Sequence, residues 1–161
     1  MIQLTENEIA DLLAEQKVLP PNYSDQLQQL RPKRGHSERM LSVTGTEGHT
    51  FLIILRQSKF NHLDFSAILG LRLPQSNQIF HLRRYNGKHG EHTNKIEQES
   101  FYDFHVHMAT ERYQDIGMRE DAYAEPSDCF TDLAGALQCL LTDCGFELPP
   151  DPQGRLFPGF V

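Results

Sequence analysis

Thr50-Phe51-Leu52-Ile53-Ile54-Leu55-Arg56 is the stretch on which the fold turns. Five consecutive apolar residues between a threonine and an arginine make a run too short for a helix, and it reads as a strongly apolar strand. Working outward, Gly45 to Gly48 is a turn and residues 39–44 are a preceding strand. On the other side, residues 63–73 form a third strand, with Gly70 at a bulge position. After the punctuation Pro74-Gln75-Ser76-Asn77, residues 78–85 form a fourth. Residues 86–100 are a polar loop, and residues 101–110 a fifth strand. Short connections favour an antiparallel meander.

Helices flank the sheet. Thr5 and Glu8 form a capping-box pattern, and Ile9, Leu12 and Leu13 follow at helical spacing, so residues 6–16 read as a helix stopped by Pro20 and Pro21. Residues 23–30 suit a second short helix carrying Leu27 and Leu30, and Arg31-Pro32-Lys33-Arg34-Gly35 reads as a basic turn. Residues 114–126 look irregular. Ser127 is then an N-cap for Phe130, Leu133, Ala134, Leu137, Leu140, Leu141 and Cys144, which Gly145 ends. The expected fold is therefore α+β in a single domain spanning 1–161. It has a helical segment over 1–30, a five-stranded antiparallel sheet over 39–110, and a C-terminal amphipathic helix over 127–144 packed on one face. An extended tail over 149–161 is tied down, or reaches a partner, through Phe157 and Phe160.

Composition sets the class. At 161 residues, with 23% charged and 39% hydrophobic residues, the chain is large enough for one real core. No run approaches a membrane span and the N-terminus lacks a signal-peptide pattern, so a cytoplasmic protein without membrane contact is expected. Three cysteines, Cys129, Cys139 and Cys144, read as buried thiols rather than a disulfide framework. The net charge of −7 divides unevenly: −4 over residues 1–30, +7 over 31–96 and −10 over 97–161. A basic centre between acidic ends is either a phosphate-binding face or one side of internal salt-bridging with self-association, a homodimer.

The chemistry lies in the histidines. Five of the eight fall within 27 residues, two of them in Phe104-His105-Val106-His107-Met108. Strand alternation turns Phe104, Val106 and Met108 inward and sets His105 and His107 together on the other face. On the neighbouring strand, alternation groups His81, Arg83 and Tyr85, with Arg84, Asn86, Lys88, His89 and His92 at its end and in the loop beyond. Two imidazoles flanked by cations suit phosphodiester cleavage: His105 and His107 trade protons, and Arg83 or Arg84 stabilises the charged intermediate. His81, Tyr85, Asn86, Lys88, His89, His92 and Glu111 then serve binding. The spacing His105-x-His107-x-x-x-Glu111 also offers two imidazoles and a carboxylate to a metal, if the strand continues to residue 111. The bland reading is a polar sheet face with solvated histidines.

Arg84-Tyr85-Asn86-Gly87-Lys88-His89-Gly90, followed by Phe104-His105-Val106-His107-Met108-Ala109-Thr110-Glu111-Arg112-Tyr113, resembles a group of small uncharacterised bacterial proteins. More distantly it resembles the TumE-type toxins of toxin–antitoxin modules. That resemblance implies a small cytoplasmic toxin acting on RNA, with a cognate antitoxin or other protein partner. It gives importance to Arg84, Tyr85, Asn86, His89, His105 and His107. The leading expectation is a ribonuclease-like phosphodiesterase without cofactors. The alternatives are a non-catalytic interaction protein, such as a defence-associated inhibitor or adaptor, and a metal-dependent enzyme on the His-x-His strand.

Overall fold

A computed structural model describes residues 2–29 and 31–149. Leu30 and nearly all of the expected tail, with Phe157 and Phe160, lie outside the described residues. In chain order the elements are α1 (Glu6–Ala14), β1 (Lys17–Val18), α2 (Tyr23–Gln26), β2 (Arg31–Lys33), β3 (His36–Thr44), β4 (Thr50–Ser58), β5 (Phe65–Arg72), β6 (Ile79–Asn86), β7 (His92–Asn94), β8 (Glu99–Phe101), β9 (His105–Met108), α3 (Glu111–Asp115), β10 (Tyr123–Pro126), α4 (Leu133–Asp143) and β11 (Phe146–Glu147).

The chain is α+β around one large antiparallel sheet in the order β10-β9-β6-β5-β4-β3-β2. It has seven strands where five were expected. The two extra strands are its edges, and composition hid both. β2 holds Arg31, Pro32 and Lys33 with no apolar residue, and β10 ends on Pro126. Edge strands need only one partner, so they tolerate proline and charge that would disqualify a central strand. The expected fifth strand also divides. Residues 99–101 pair with residues 92–94 as the β7–β8 hairpin, and only His105–Met108 joins the main sheet.

β4 is buried on both sides. Phe51, Ile53 and Leu55 belong to the main core with Ile9 and Leu12 of α1, Tyr23 and Leu27 of α2, and Leu137 and Leu140 of α4. Leu52 and Ile54 form a smaller cluster with Ile68 on the other face, flanked by Met40 and Ile79. Thr5 and Glu8 close the capping box as their spacing predicts. α1 ends at Ala14, ahead of the expected residue 16, and Lys17–Val18 pairs in parallel with Phe146–Glu147. The last helix starts at Asp132, whose side chain accepts from the Gly135 N–H, and not at Ser127. It is covered nearly all round, with Ala134, Thr142 and Asp143 exposed, and lacks the clean two-faced division expected.

Lys17 is fully buried at this junction. Its ammonium donates to the carbonyls of Leu12, Glu15 and Cys144 at 2.7–2.8 Å and of Leu13 at 3.3 Å, and lies 4.3 Å over the Phe51 ring. One cation thus satisfies carbonyls left over at the C-terminal ends of two helices, where the macrodipole also favours positive charge. Cys129 and Cys139 form a disulfide, which corrects the reading of all three cysteines as thiols; Cys144 is free and buried.

Candidate functional site

A single irregularity in β6 decides which side chains share a face. Leu69 of β5 pairs with Arg83, but the next residue, Gly70, pairs with His81, so Leu82 is an extra residue. Simple alternation would group His81, Arg83 and Tyr85. The bulge resets the parity. Phe80, Leu82 and Tyr85 all enter the main core. Arg84 pairs across from His107 and Asn86 across from His105, so these two, with His81, take the histidine face. Arg83 turns to the core side, where its Nη1 lies 3.5 Å from the Tyr85 hydroxyl; that hydroxyl donates to Asp143 at 2.8 Å. Arg83 is therefore placed away from the imidazoles, and Arg84 is the arginine beside them.

His105 and His107 do emerge opposite Val106, which lies in the core cluster with Phe104 and Met108 packed against it. They are not exposed. Each is 5% accessible, because the β7–β8 hairpin folds over β9. His92 of that hairpin stacks on His105 with ring centroids 5.6 Å apart and meets His107 edge-on at 4.8 Å; His105 and His107 are 4.9 Å apart. Asn94 anchors the hairpin to β10, donating to the Ala124 carbonyl at 2.7 Å and accepting from the Ala124 N–H at 2.9 Å.

These contacts fix the tautomers of all three rings. A carbonyl oxygen only accepts, so His105 Nδ1 donates to the Asp103 carbonyl at 2.9 Å and His107 Nδ1 donates to the Asp121 carbonyl at 2.7 Å. Asn94 Oδ1 is oriented by its bond from Ala124, so His92 Nε2 donates to it at 2.8 Å. In His105 and His107 the neutral ring has spent its single N–H and keeps one acceptor nitrogen. Burial pushes the His105 pKa below its ordinary value, helped by His92, Arg84 and His89 nearby. The same burial, with Arg84 and His105 adjacent, pushes His107 down to about 3. Burial thus holds His105 and His107 unprotonated.

Beneath it lies a carboxylate with no sequence signature. Asp121 is fully buried in a segment that reads as irregular, and no periodicity marks it. Its Oδ2 accepts from Arg84 Nε at 3.0 Å and from His81 Nδ1 at 3.2 Å. Its Oδ1 has no hydrogen bond, only Arg119 Nε at 3.6 Å. Burial alone would raise its pKa, but the His81 hydrogen bond and the Arg84 and Arg119 charges outweigh that and hold it well below the usual carboxylate range. Asp121 thus orients Arg84 through its side chain and His107 through its backbone.

The remaining sequence candidates sit around this centre. Asn86 is buried and accepts from Ser66 Oγ at 2.7 Å. His89 lies in the loop after β6, 3.9 Å from Asp64 and close enough for its charge to act on His105. That loop is seated by Gly87: a Cβ there would collide with the Leu63 carbonyl and the Phe65 ring. Lys88 lies over the Phe104 ring at 4.8 Å, whose other neighbours are Phe65 and Phe130. Glu111 is displaced altogether. The strand stops at Met108, Thr110 caps α3, and Glu111 accepts from the Glu6 N–H at 2.9 Å. The metal set His105, His107 and Glu111 is therefore not assembled. Among the described residues no group of three or more His, Cys, Asp or Glu side chains is placed to hold a metal ion.

No protein-family model, curated protein or solved structure matches this chain. No helix among the described residues is long and apolar enough to cross a membrane.

Proposed function

We propose that this protein is a ribonuclease-like phosphodiesterase whose proton acceptor is His105. The observation that carries the reading is the cluster itself: three packed imidazoles, each donating an N–H to a carbonyl oxygen, beside a guanidinium oriented by a buried carboxylate. Such a site takes the proton from an attacking hydroxyl while Arg84 meets the negative charge that develops on the phosphorus oxygens. His89, exposed beside Asp64, is the group available to protonate the leaving oxygen. His107, the deeper ring, positions His105 and His92 and does not titrate near neutrality. Access to the acceptor nitrogens requires the β7–β8 hairpin to lift from β9, which makes that hairpin the entry step. The short likeness to TumE-type toxins points to the same reaction class.

The test is turnover of a panel of RNAs by the purified protein, with and without chelator, across pH. Cleavage should survive chelation, and its acidic limb should fall below pH 6.5, because burial keeps His105 unprotonated there. His105→Ala should lose at least about a hundredfold in rate, the usual scale of general base catalysis. Absence of turnover on every RNA, or an active His105→Ala, refutes the proposal and leaves a non-catalytic interaction protein as the account of this surface.

A further inference from the structure

Resting on that reading, we infer that the substrate is a single-stranded polynucleotide and that it lies across the strands, along one row of paired residues ending at His105. The pairing is continuous: Arg31 opposite Glu38, Glu38 opposite Arg56, Arg56 opposite Ser66, Ser66 opposite Asn86, and Asn86 opposite His105. Directly paired residues share a face of the sheet, so these six form a polar line perpendicular to the strands. Strands are spaced about 4.8 Å apart, so the line runs about 24 Å from edge to site, the length of a short oligonucleotide.

The line meets a recess at Arg56 and Ser66, while its members Glu38, Asn86 and His105 are buried. That recess, a cavity of about 260 Å³, is lined by Arg34, His36, Arg56, Gln57, Asp64 and Ser66 among others. Gln57 ties the wall of that cavity to the chain after β4, its amide nitrogen reaching backbone carbonyls there, with Asp64 nearest at 3.2 Å. Charge favours a polyanion. Arg31, Lys33 and Arg34 stand exposed at the edge, and Glu38, the acid within the row, is already paired with Arg56 Nε at 3.0 Å. Arg56 nonetheless keeps 45% of its side chain accessible. Phe60, 87% exposed, lies against Gly35, which lines that cavity, and offers a face on which an unpaired base can stack. A duplex does not suit this surface. The row ends at a histidine 5% accessible, which only a splayed strand passing under the hairpin reaches.

The experiment uses the full chain and a fluorescent 2′-O-methyl oligoribonucleotide, which lacks the attacking hydroxyl and reports binding alone by anisotropy. Wild type should bind it, and the same sequence as a duplex at least tenfold more weakly. The double variant Arg34→Gln/Arg56→Gln should lose at least tenfold in affinity. Its salt dependence should flatten by about 1.4 in log–log slope, about 0.7 per lost single-strand phosphate contact. Arg72→Gln, at the far end of β5, should bind as wild type, and circular dichroism should show all three folded. Phe60→Ala, in an exposed loop, should weaken binding without altering stability. Equal affinity in wild type and the double variant, no binding by wild type, or preference for the duplex overturns the inference. The two proposals fail separately: Arg34- and Arg56-dependent binding without cleavage of natural RNA sinks the enzyme and keeps the row, whereas cleavage indifferent to both arginines does the reverse.

Discussion

Acidification should unfold this protein through one ring in particular. His107 is buried, donates from Nδ1 to the Asp121 carbonyl, and has its pKa pushed down to about 3 by burial, Arg84 and His105. In the unfolded chain the same imidazole titrates near 6.5. The folded value is the depressed one, so the unfolded state binds the extra proton. The stabilisation is complete above pH 6.5 and drains away as pH falls toward 3. At pH 5 the unfolded chain lies 1.5 units below its His107 pKa, and at about 1.36 kcal/mol per unit that is about 2 kcal/mol lost relative to neutral pH. The figure holds for any folded value well under 5. Against a typical total of about 5–15 kcal/mol, it is a loss urea denaturation resolves. The perturbation is His107→Gln, which cannot titrate, with unfolding free energies measured at pH 7 and pH 5 for both proteins. Groups that do not interact with His107 cancel in the comparison. Wild type should lose about 2 kcal/mol more between the two pH values than the variant does. Identical pH dependence in the two would show that the fold does not depress the His107 pKa, and the argument that burial holds this ring unprotonated would go with it.

Three further outcomes follow from named contacts. Asp121→Asn should cost about 3–5 kcal/mol, because the partly buried Arg84 loses its counter-ion, and should also slow RNA turnover; a change under about 1 kcal/mol in urea denaturation counts against it. Lys17→Met should destabilise by about 1–3 kcal/mol, since four carbonyls, three of them buried, lose one shared donor; a thermal unfolding midpoint within a degree or two of wild type refutes this. Gly87→Ala should cost about 1–3 kcal/mol by collision with the Leu63 carbonyl and should displace His89 from Asp64, seen as changed His89 imidazole signals in NMR.

The sheet was legible where its strands are apolar and alternate, and illegible where they are neither. Residues 50–56 announced themselves. β2 and β10 did not, because an edge strand needs no hydrophobic pattern to be held by one neighbour. The histidine face was legible in β9, where Val106 and its neighbours fix the parity, and was misassigned in β6, where Leu82 bulges. Gly70 did signal an irregularity at that point: a Cβ there would collide with the Ile79 side chain. The extra residue itself lies on the partner strand. Burial of His105 and His107 was hidden because the cover comes from the β7–β8 hairpin, whose sequence reads as a polar loop. Asp121 left no trace at all, since a lone carboxylate in an irregular segment looks like surface until Arg84, Arg119 and His81 are seen around it.

Lys17 has a consequence for synthesis. Three of its carbonyl partners lie within five residues, but the fourth, on Cys144, is 127 residues later, and β1 has no strand partner until Phe146–Glu147 exists. At about 5–20 residues per second, the ribosome takes roughly 6–25 seconds to deliver that segment. During this interval the end of the first helix has its contacts with residues 45–51 but not those with Cys144 and Phe146, and its lysine lacks its last carbonyl. The sheet can assemble strand by strand as it emerges, each pairing mainly with one made just before. The N-terminal segment is then the first made and among the last secured, and a nascent chain stalled before Cys144 should expose it to proteases while the finished protein does not.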